Sequence, residues 1–424
     1  MDSTTAPHSQ PKKHGKNAFL FVIITVALDM LGFGIIIPVV PSLIQELLHI
    51  EPEDSTIWIG LLSTSFAMMN FLFAPLLGAL SDKYGRRPVL LVSIAMLCVN
   101  FLISALATTI WMLFIGRLLT GISSATHSTA NAYIADVTEP ENRAKAFGML
   151  GAAFGFGFVF GPVLGGFIGE IGPRAPFFAA AALAGINFLY GFFVLPESLH
   201  TENRRPLNLK RANPLGAVKH FSKLPHISWF LLAAGILFLG HTAFPSTWAV
   251  HGEIRYDWSP KEIGFTLGIA GVGTALVQAV LMGKVIKRFG PVRTVLIGVC
   301  IAICTSMAYA FAVSPIMFML IIPFASLAGV ANPAMTSIMS NLTPSNAQGE
   351  LQGATASLNS FAMTIGPLMM SGILWYFTHD VAPFRFPGVA FFLAGCLSAL
   401  ALIPFLRGAR INAKDLEKAS APAE

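Results

Sequence analysis

The chain has 424 residues, of which 54% are hydrophobic and 11% are charged, whereas about 25% of the residues of a soluble domain are charged. The mean hydropathy is +0.69, and uncharged stretches of about 20 residues are long enough to cross a bilayer. This composition excludes a water-soluble globule. The net charge of +6 does not by itself indicate nucleic-acid binding, because the positions of the Lys and Arg residues matter more than their sum.

Apolar stretches along the chain predict an all-α membrane protein with twelve transmembrane helices. The predicted spans are 18–40, 57–80, 88–107, 110–134, 146–169, 176–195, 227–250, 262–283, 292–313, 316–340, 351–377 and 386–406. If the N-terminus is cytoplasmic, 22 of the 27 Lys and Arg residues lie in cytoplasmic segments. The positive-inside rule therefore predicts a multi-pass inner-membrane protein with both termini in the cytoplasm.

Span 1 carries Asp29, the only carboxylate well inside a predicted span. A charge at the bilayer centre costs at least about 2.5 kcal/mol, so such residues are usually functional and usually paired. Arg117, inside span 4, lies at nearly the same depth when each helical residue adds about 1.5 Å. We predict that Asp29 and Arg117 form a proton-coupling pair. The alternative is a static ion pair that ties two helices together.

The short loop between spans 2 and 3 combines a turn with paired charges. Gly85 permits a tight turn, and Asp82 and Arg86 flank it. A carboxylate here can meet the N-terminus of a helix, so Gly78, Asp82, Gly85 and Arg86 form a candidate gating motif at the inner face. The alternative is that the basic residues of this loop only set the topology.

Span 5 carries glycines at every fourth position. Gly157, Gly161, Gly165 and Gly169 form a stripe on which another helix can approach closely, and Gly166 directly follows Gly165. Pro162 within the stripe removes a backbone N–H and bends the helix. Close packing explains the glycines, and a bend beside a close contact suits an interface that moves.

Several polar side chains fall inside the spans and are candidate substrate contacts. They are Asn70, Asn100, His127, Asn131, His241, Gln278 and Asn332. Each of them could instead form a hydrogen bond between helices, but as a set they should include the lining of a central cavity. His127 is also an alternative proton carrier.

The second half of the chain repeats the first at an offset of 205 residues. Gly78 and Gly85 match Gly283 and Gly290, and Gly161-Pro162 matches Gly366-Pro367. The repeat predicts two six-helix halves, 17–196 and 226–406, joined by a cytoplasmic linker over 197–225. The tails 1–16 and 407–424 are then cytoplasmic. Two such halves can rock about a shared site at the midplane.

Motifs of the first half resemble those of the major facilitator superfamily, and more closely those of its tetracycline efflux group. The segments that carry the resemblance are the 78–90 loop with its repeat, Arg117 followed by Gly121, the 157–166 stripe, 28–41, 132–136, 175–182 and 195–198. The similarity is strong over 17–215 and moderate over 258–375. The span-5 stripe resembles the antiporter motif of drug/proton antiporters.

The resemblance implies the major facilitator fold and proton-driven export of amphipathic drugs by alternating access, with tetracycline-type antibiotics as the named substrates. The partners it implies are a lipid bilayer, a small-molecule substrate and protons, without a cofactor, a metal or nucleic acid. It places Asp29 and Arg117 at positions that the family needs. It also implies that Asp82 closes the inner gate by a contact near Gln348–Glu350.

Four positions depart from the tetracycline-exporter pattern. Asn100, Thr274 and Ala302 stand where that group has Asp, His and Asp, and Asn70 stands where it has Gln, whereas Gln278 is kept. The lost groups are those that would suit a cationic metal–tetracycline chelate. We therefore expect a less charged and more apolar site.

Two other function classes are alternatives to export. A proton-linked importer of a small solute uses the same fold, and only the span-5 stripe argues for antiport. A membrane enzyme would need a nucleophile–base set or a metal motif such as His-Glu-x-x-His, and the sequence has no such motif. It also has no phosphate-binding loop, so a proton gradient is the expected energy source.

Overall fold

The computed structural model describes residues 15–124, 126–199, 201–204, 227–344 and 347–413. This part of the chain consists of helices joined by short connections and contains no strand. The helices are α1 (Gly15–Ile36), α2 (Val40–Leu48), α3 (Pro52–Tyr84), α4 (Arg86–Ala105), α5 (Ile110–Ser123), α6 (Thr126–Val137), α7 (Arg143–Gly169), α8 (Ala175–Val194), α9 (Ser228–His241), α10 (Ala243–Tyr256), α11 (Pro260–Leu276), α12 (Met282–Phe311), α13 (Pro315–Ser326), α14 (Ala331–Asn341), α15 (Gln348–Thr378) and α16 (Val389–Ile411). The predicted N-terminal tail, most of the linker and the end of the C-terminal tail lie outside the described residues.

Within the described ranges, ten helical stretches are long and apolar enough to cross a membrane. One of them, Pro260–Phe311, has 52 residues and turns at Gly290, where φ is 74° and ψ is 165°, so it accounts for two crossings. The fourth predicted span is divided into α5 and α6, each of which is too short to be included among the ten. The prediction of an all-α membrane protein is confirmed, and the helices are consistent with twelve crossings.

Helix packing within each half is close because small residues face one another. In the first half α1 packs along α7 and α8. A β-carbon at position 161 of α7 would lie 2.7 Å from the Cα of Gly34, so the two backbones touch there. In the second half α16 packs on α9 and α12. Direct contact of two backbones allows many van der Waals contacts. These contacts matter in a lipid bilayer because the hydrophobic effect does not drive helix association there.

The halves contact each other mainly along two helix pairs, α3 with α15 and α7 with α11, and α10 also packs on α3. We call the two ends of the bundle the Arg86 face, where α3 ends and α4 begins, and the Asp54 face, where α2 ends and α3 begins. Near the Asp54 face the pairs are tight: Thr64 Oγ1 donates to the carbonyl of Thr364 at 2.9 Å, and a β-carbon at Gly60 would lie 2.8 Å from Ser371 Cβ.

Toward the Arg86 face the same helices separate. A β-carbon at Gly78, Gly151, Gly349 or Gly353 would meet no atom within 4 Å. The hydrogen bonds that join the two halves within the described residues all lie between Thr64 and the Asp54 face. The bundle is therefore closed at the Asp54 face and open at the Arg86 face.

Candidate functional site

Asp29 is buried inside the first half, with 3% of its surface exposed. Asn187 of α8, which is completely buried, donates from Nδ2 to Asp29 Oδ1 at 2.9 Å and to the Thr25 carbonyl at 3.2 Å. A hydrogen bond to a carboxylate in a low-dielectric site stabilises the charged form, and burial opposes it. Asn187 therefore satisfies one oxygen of a buried carboxylate.

Sequence reasoning missed Asn187 as the partner of Asp29. It is the one amide in the sequence of α8, so its rarity in an apolar span was a usable signal. What the sequence did not show is that α8 presents it to α1.

Arg117 lies on α5, whereas Asp29 lies on α1. The described residues contain no ion pair between Asp29 and Arg117, and they offer the Arg117 side chain no hydrogen-bond partner. The reason is the division of span 4 at Ser124: α5, which carries Arg117, packs on α3 and α4, whereas α6 packs on α1. Gly121 lies one turn after Arg117, and a β-carbon at position 121 would lie 2.6 Å from the carbonyl oxygen of Phe66 on α3. Equal depth in the membrane does not bring the pair together in this conformation.

The gating motif forms a charged cluster at the Arg86 face. Arg86 donates from Nη1 to Asp82 Oδ1 at 2.5 Å and from Nε to Asp136 Oδ2 at 3.1 Å. Ser198 donates from Oγ to the same oxygen of Asp136 at 3.2 Å. One guanidinium therefore joins the ends of α3 and α6 to the start of α4, and Asp136 connects this cluster to the segment after α8.

Glu197 completes this cluster by capping α4. Its carboxylate accepts from the backbone N–H of Arg86 at 2.8 Å and from that of Arg87 at 3.3 Å. A carboxylate at a helix N-terminus satisfies free N–H groups and is favoured by the helix dipole. Asp136 and Glu197 lie in segments that carry the family resemblance, but the sequence did not indicate a role for either residue. Only the folded structure reveals what they contact.

The predicted contact between Asp82 and Gln348–Glu350 is not formed within the described residues. Gln348 is engaged inside its own half, where Nε2 donates to the carbonyls of Ser340 and Thr343 at 2.8 and 2.9 Å. The absence of this contact agrees with a bundle that is open at the Arg86 face. A β-carbon at Gly349, within the predicted contact segment, would likewise meet no atom within 4 Å.

The span-5 stripe has two different neighbours. Gly157, Gly161 and Gly165 face α1, where a β-carbon at 157 would lie 2.5 Å from Met30 Cβ, next to Asp29 in the chain. Gly166 faces the second half, where a β-carbon at position 166 would lie 2.6 Å from the carbonyl oxygen of Pro260. Pro162 lies between these contacts, and a β-carbon at Gly264 of α11 would touch its carbonyl. The stripe is a close-packing surface, and it connects the helix of Asp29 to the other half.

The candidate substrate contacts lie on several helices of both halves. Asn100 is buried at the contact of α4 with α5, where its Oδ1 would meet a β-carbon at Gly116. Gln278 is exposed on a π-helical turn, Val277–Leu281, that continues α11, and π-helical turns frequently occur at functional sites. Asn70 of α3 is half-buried, and the backbone of His127 and Asn131 lies in α6.

No cluster of three or more His, Cys, Asp or Glu side chains arranged to hold a metal occurs in the described part of the chain.

Comparison with known proteins identifies the family. The sequence pattern of the Major Facilitator Superfamily matches residues 22–367 and 252–421. The chain belongs to the major facilitator superfamily. It is a multi-pass membrane transporter rather than an enzyme.

Proteins that are similar in sequence to this transporter include resistance proteins. It is 36% identical over 393 residues to the tetracycline resistance protein, class C, of Escherichia coli, covering 93% of this chain and 97% of that one. It is 29% identical to multidrug resistance protein 2 of Bacillus subtilis, covering 88% and 92%. The crystal structure of the nucleoside transporter NupG has the same fold, with a TM-score of 0.74 at 16% identity and coverage of 92% and 99%.

Proposed function

We propose that this transporter exports amphipathic small molecules in exchange for protons, by alternating access, with tetracycline-type antibiotics as the first substrates to test. The observation that carries the proposal is the buried Asp29, which accepts a hydrogen bond from Asn187. Asp29 lies on α1, the helix that the span-5 stripe connects to the second half. Similarity to tetracycline and multidrug resistance proteins supports the substrate class and the direction.

The positive-inside rule supports a cytoplasmic position for the Arg86 face, since the loops at that face carry most of the Lys and Arg residues. With this orientation the open cleft faces the cytoplasm, and the Asp54 face is the outer side of the inner membrane. Substrate then enters from the cytoplasm, and the Asp82 latch closes behind it.

A proton takes the place of the substrate in the return step. When Asp29 is ionised the amide of Asn187 stabilises it, and when the cleft closes and water leaves, burial favours the neutral acid. Because α1 touches α7 directly after Asp29, a change in the charge of this carboxylate acts on the helix contact that connects the halves. Arg117, on α5 of the same half, favours the ionised form if a rearrangement of helices within that half brings it nearer.

The substrate site is expected to be apolar with a few amides. Asn70, Asn131 and Gln278 are the residues we propose for hydrogen bonds there, with His127 as a further candidate. Without the Asp and His groups of the tetracycline-exporter pattern, an uncharged or singly charged amphipathic compound suits the cavity better than a metal chelate.

The test uses everted membrane vesicles that contain a pH-sensitive dye and the full-length chain. Addition of an exported compound, tetracycline included, should release protons from vesicles energised beforehand. Asp29→Asn should abolish the signal while the protein remains folded in the membrane. Asp257→Asn, which removes an exposed carboxylate at the end of α10, is the matched control and should behave like wild type.

Two outcomes contradict the proposal. Full proton release by Asp29→Asn would remove Asp29 from the mechanism. No release by any compound of a broad panel, together with proton-driven solute uptake by intact cells, would favour the importer.

A further inference from the structure

Polar contacts at three places join the two halves at the Asp54 face, within the part of the chain that the structure describes. Gln45 donates from Nε2 to both carboxylate oxygens of Glu253, at 3.0 and 2.9 Å. Arg385 donates to Glu53 at 2.7 Å. The third contact connects Asp54, in the first turn of α3, to His379, directly after α15. Each contact can exist only while the halves are close at this face.

The ring of His379 lies between two oxygen atoms. Its Nδ1 is 2.7 Å from the carbonyl oxygen of Trp375, and its Nε2 is 3.0 Å from Asp54 Oδ1. A carbonyl and an ionised carboxylate only accept hydrogen bonds, and a neutral imidazole has only one N–H to donate. Both contacts are hydrogen bonds only if the imidazole is protonated or if Asp54 carries the proton and donates it to Nε2. In either case the closed geometry requires one proton more than a neutral histidine beside an ionised aspartate.

We propose that His379 and Asp54 form a proton-binding site of the outer gate, and that uptake of a proton from the outer side closes this gate. The inference deepens the proposed function and rests on it for the orientation in the membrane. A proton that binds when the gate is open to the outside holds the halves together at the Asp54 face, which is the direction that returns an antiporter to its cytoplasm-facing state.

The site is reachable from water. The His379 side chain has 24% of its surface exposed and Asp54 has 47%. A cleft of about 480 Å³ opens beside Asp54 and is lined also by Ile50, Ile57, Trp58 and Trp375. Protons can therefore exchange with the outer solution without crossing the bundle.

An aromatic ring and several acidic groups surround His379. The ring of Trp375 lies against the imidazole at a centroid distance of 4.5 Å, and its Nε1 donates to Asp54 Oδ1 at 3.3 Å. The other charged or titratable groups near this end are Glu51 and the Glu53–Arg385 pair on α3 and the α15–α16 loop, His251, Glu253 and Arg255 on α10, and Asp380 beside the histidine. The acidic groups of this set outnumber the two arginines.

The experiment follows the separation of the halves directly. Spin labels at Ile171→Cys and Val313→Cys, two exposed positions in the Asp54-face loops of different halves, report distance in the full-length protein in lipid nanodiscs, with the four native cysteines replaced by serine. Lowering the pH from about 8 to about 5.5, across the ordinary range of histidine, should raise the ratio of closed to open populations about threefold, as suits a partly exposed ion pair.

Variants assign the response to the site. His379→Gln, which cannot become charged, should lose the pH dependence, and His379→Lys, which is always charged here, should stay closed at both pH values. His49→Gln removes an exposed histidine of this face, in the α2–α3 loop, and should respond like wild type. Because His379→Lys predicts a gain of closure, a mere loss of folding cannot imitate the result.

A wild-type pH response in His379→Gln would overturn the inference, as would a response that is lost in Asp29→Asn and kept in His379→Gln. The distances need no substrate and no proton flux. Failure of the vesicle experiment would therefore refute the proposed function without affecting this measurement, and the reverse also holds.

Discussion

At the scale of single residues, Gly85 meets two requirements at once. Its φ of 108° lies in the region that favours glycine, and the carboxylate of Glu197 occupies the space where a β-carbon would be. The turn lets Glu197 reach the first N–H groups of α4, and it holds Arg86 between Asp82 and Asp136. The glycine is thus a condition for the charged cluster, and not only for the direction of the chain.

We predict that Gly85→Ala destabilises the protein by about 1–3 kcal/mol, the usual cost of a strained backbone position, and weakens the Arg86 cluster. Gly78→Ala is the matched control in the same motif: its β-carbon meets no atom, and alanine in a helix is favoured over glycine by about 0.5–1 kcal/mol. The measurement is thermal unfolding of the purified variants in detergent. Equal melting temperatures for both variants would contradict the role of Gly85.

The sequence identified Asp29, because a lone carboxylate in an apolar span is conspicuous. Its pairing with Arg117 did not follow from depth, since the azimuth of a side chain around its helix depends on how the neighbours pack. In the structure Asn187 contacts Asp29 instead. The coupling role of both Asp29 and Arg117 stays a prediction until the vesicle experiment is done.

At the scale of elements, α7 is packed on both sides near the Asp54 face and open near the Arg86 face. Gly165 touches the backbone of Ile35, whereas Gly151, on the same helix, faces open space. The sequence predicted a packing stripe at 157–165, and the structure shows that its partner is α1. Gly166, at the next position, packs on α11 of the other half.

The two ends of α7 therefore predict different responses to the same substitution. Gly165→Ala should cost about 1–3 kcal/mol of stability, as overpacking does, and should lower export because α1 and α7 are pushed apart. Gly151→Ala should leave stability unchanged or slightly raised. Thermal unfolding and export by the same preparations test this, and a tolerated alanine at 165 would show that the α1–α7 contact is loose.

At the scale of the whole molecule, the halves touch along α3 with α15 and α7 with α11 only in the part of the bundle nearer the Asp54 face. The buried apolar cluster at this end contains residues of both halves, among them Val39, Leu43, Val250 and Leu374. Apolar packing reinforces the polar contacts there, while the Arg86 face has the cleft.

A labelling experiment tests this asymmetry. In a background without native cysteines, Gly353→Cys should react with a membrane-impermeant maleimide from the Arg86 face at least about tenfold faster than Ser371→Cys, since reactivity follows access. Gly353 faces open space and Ser371 is completely buried, both on α15. Equal rates at the two positions would mean that the closed and open ends are not as described.

The sequence by itself determined the membrane class, the helical fold, the duplication and the family, because hydropathy, charge placement and spaced glycines are local or periodic properties that any twelve-span packing must respect. The tertiary structure decided which groups meet: Asn187 at Asp29, Glu197 at the start of α4, and His379 at Asp54, 325 residues apart in the chain. These contacts depend on the rotation of each helix about its axis and on the relative tilt of the halves, and the identity of a residue specifies neither.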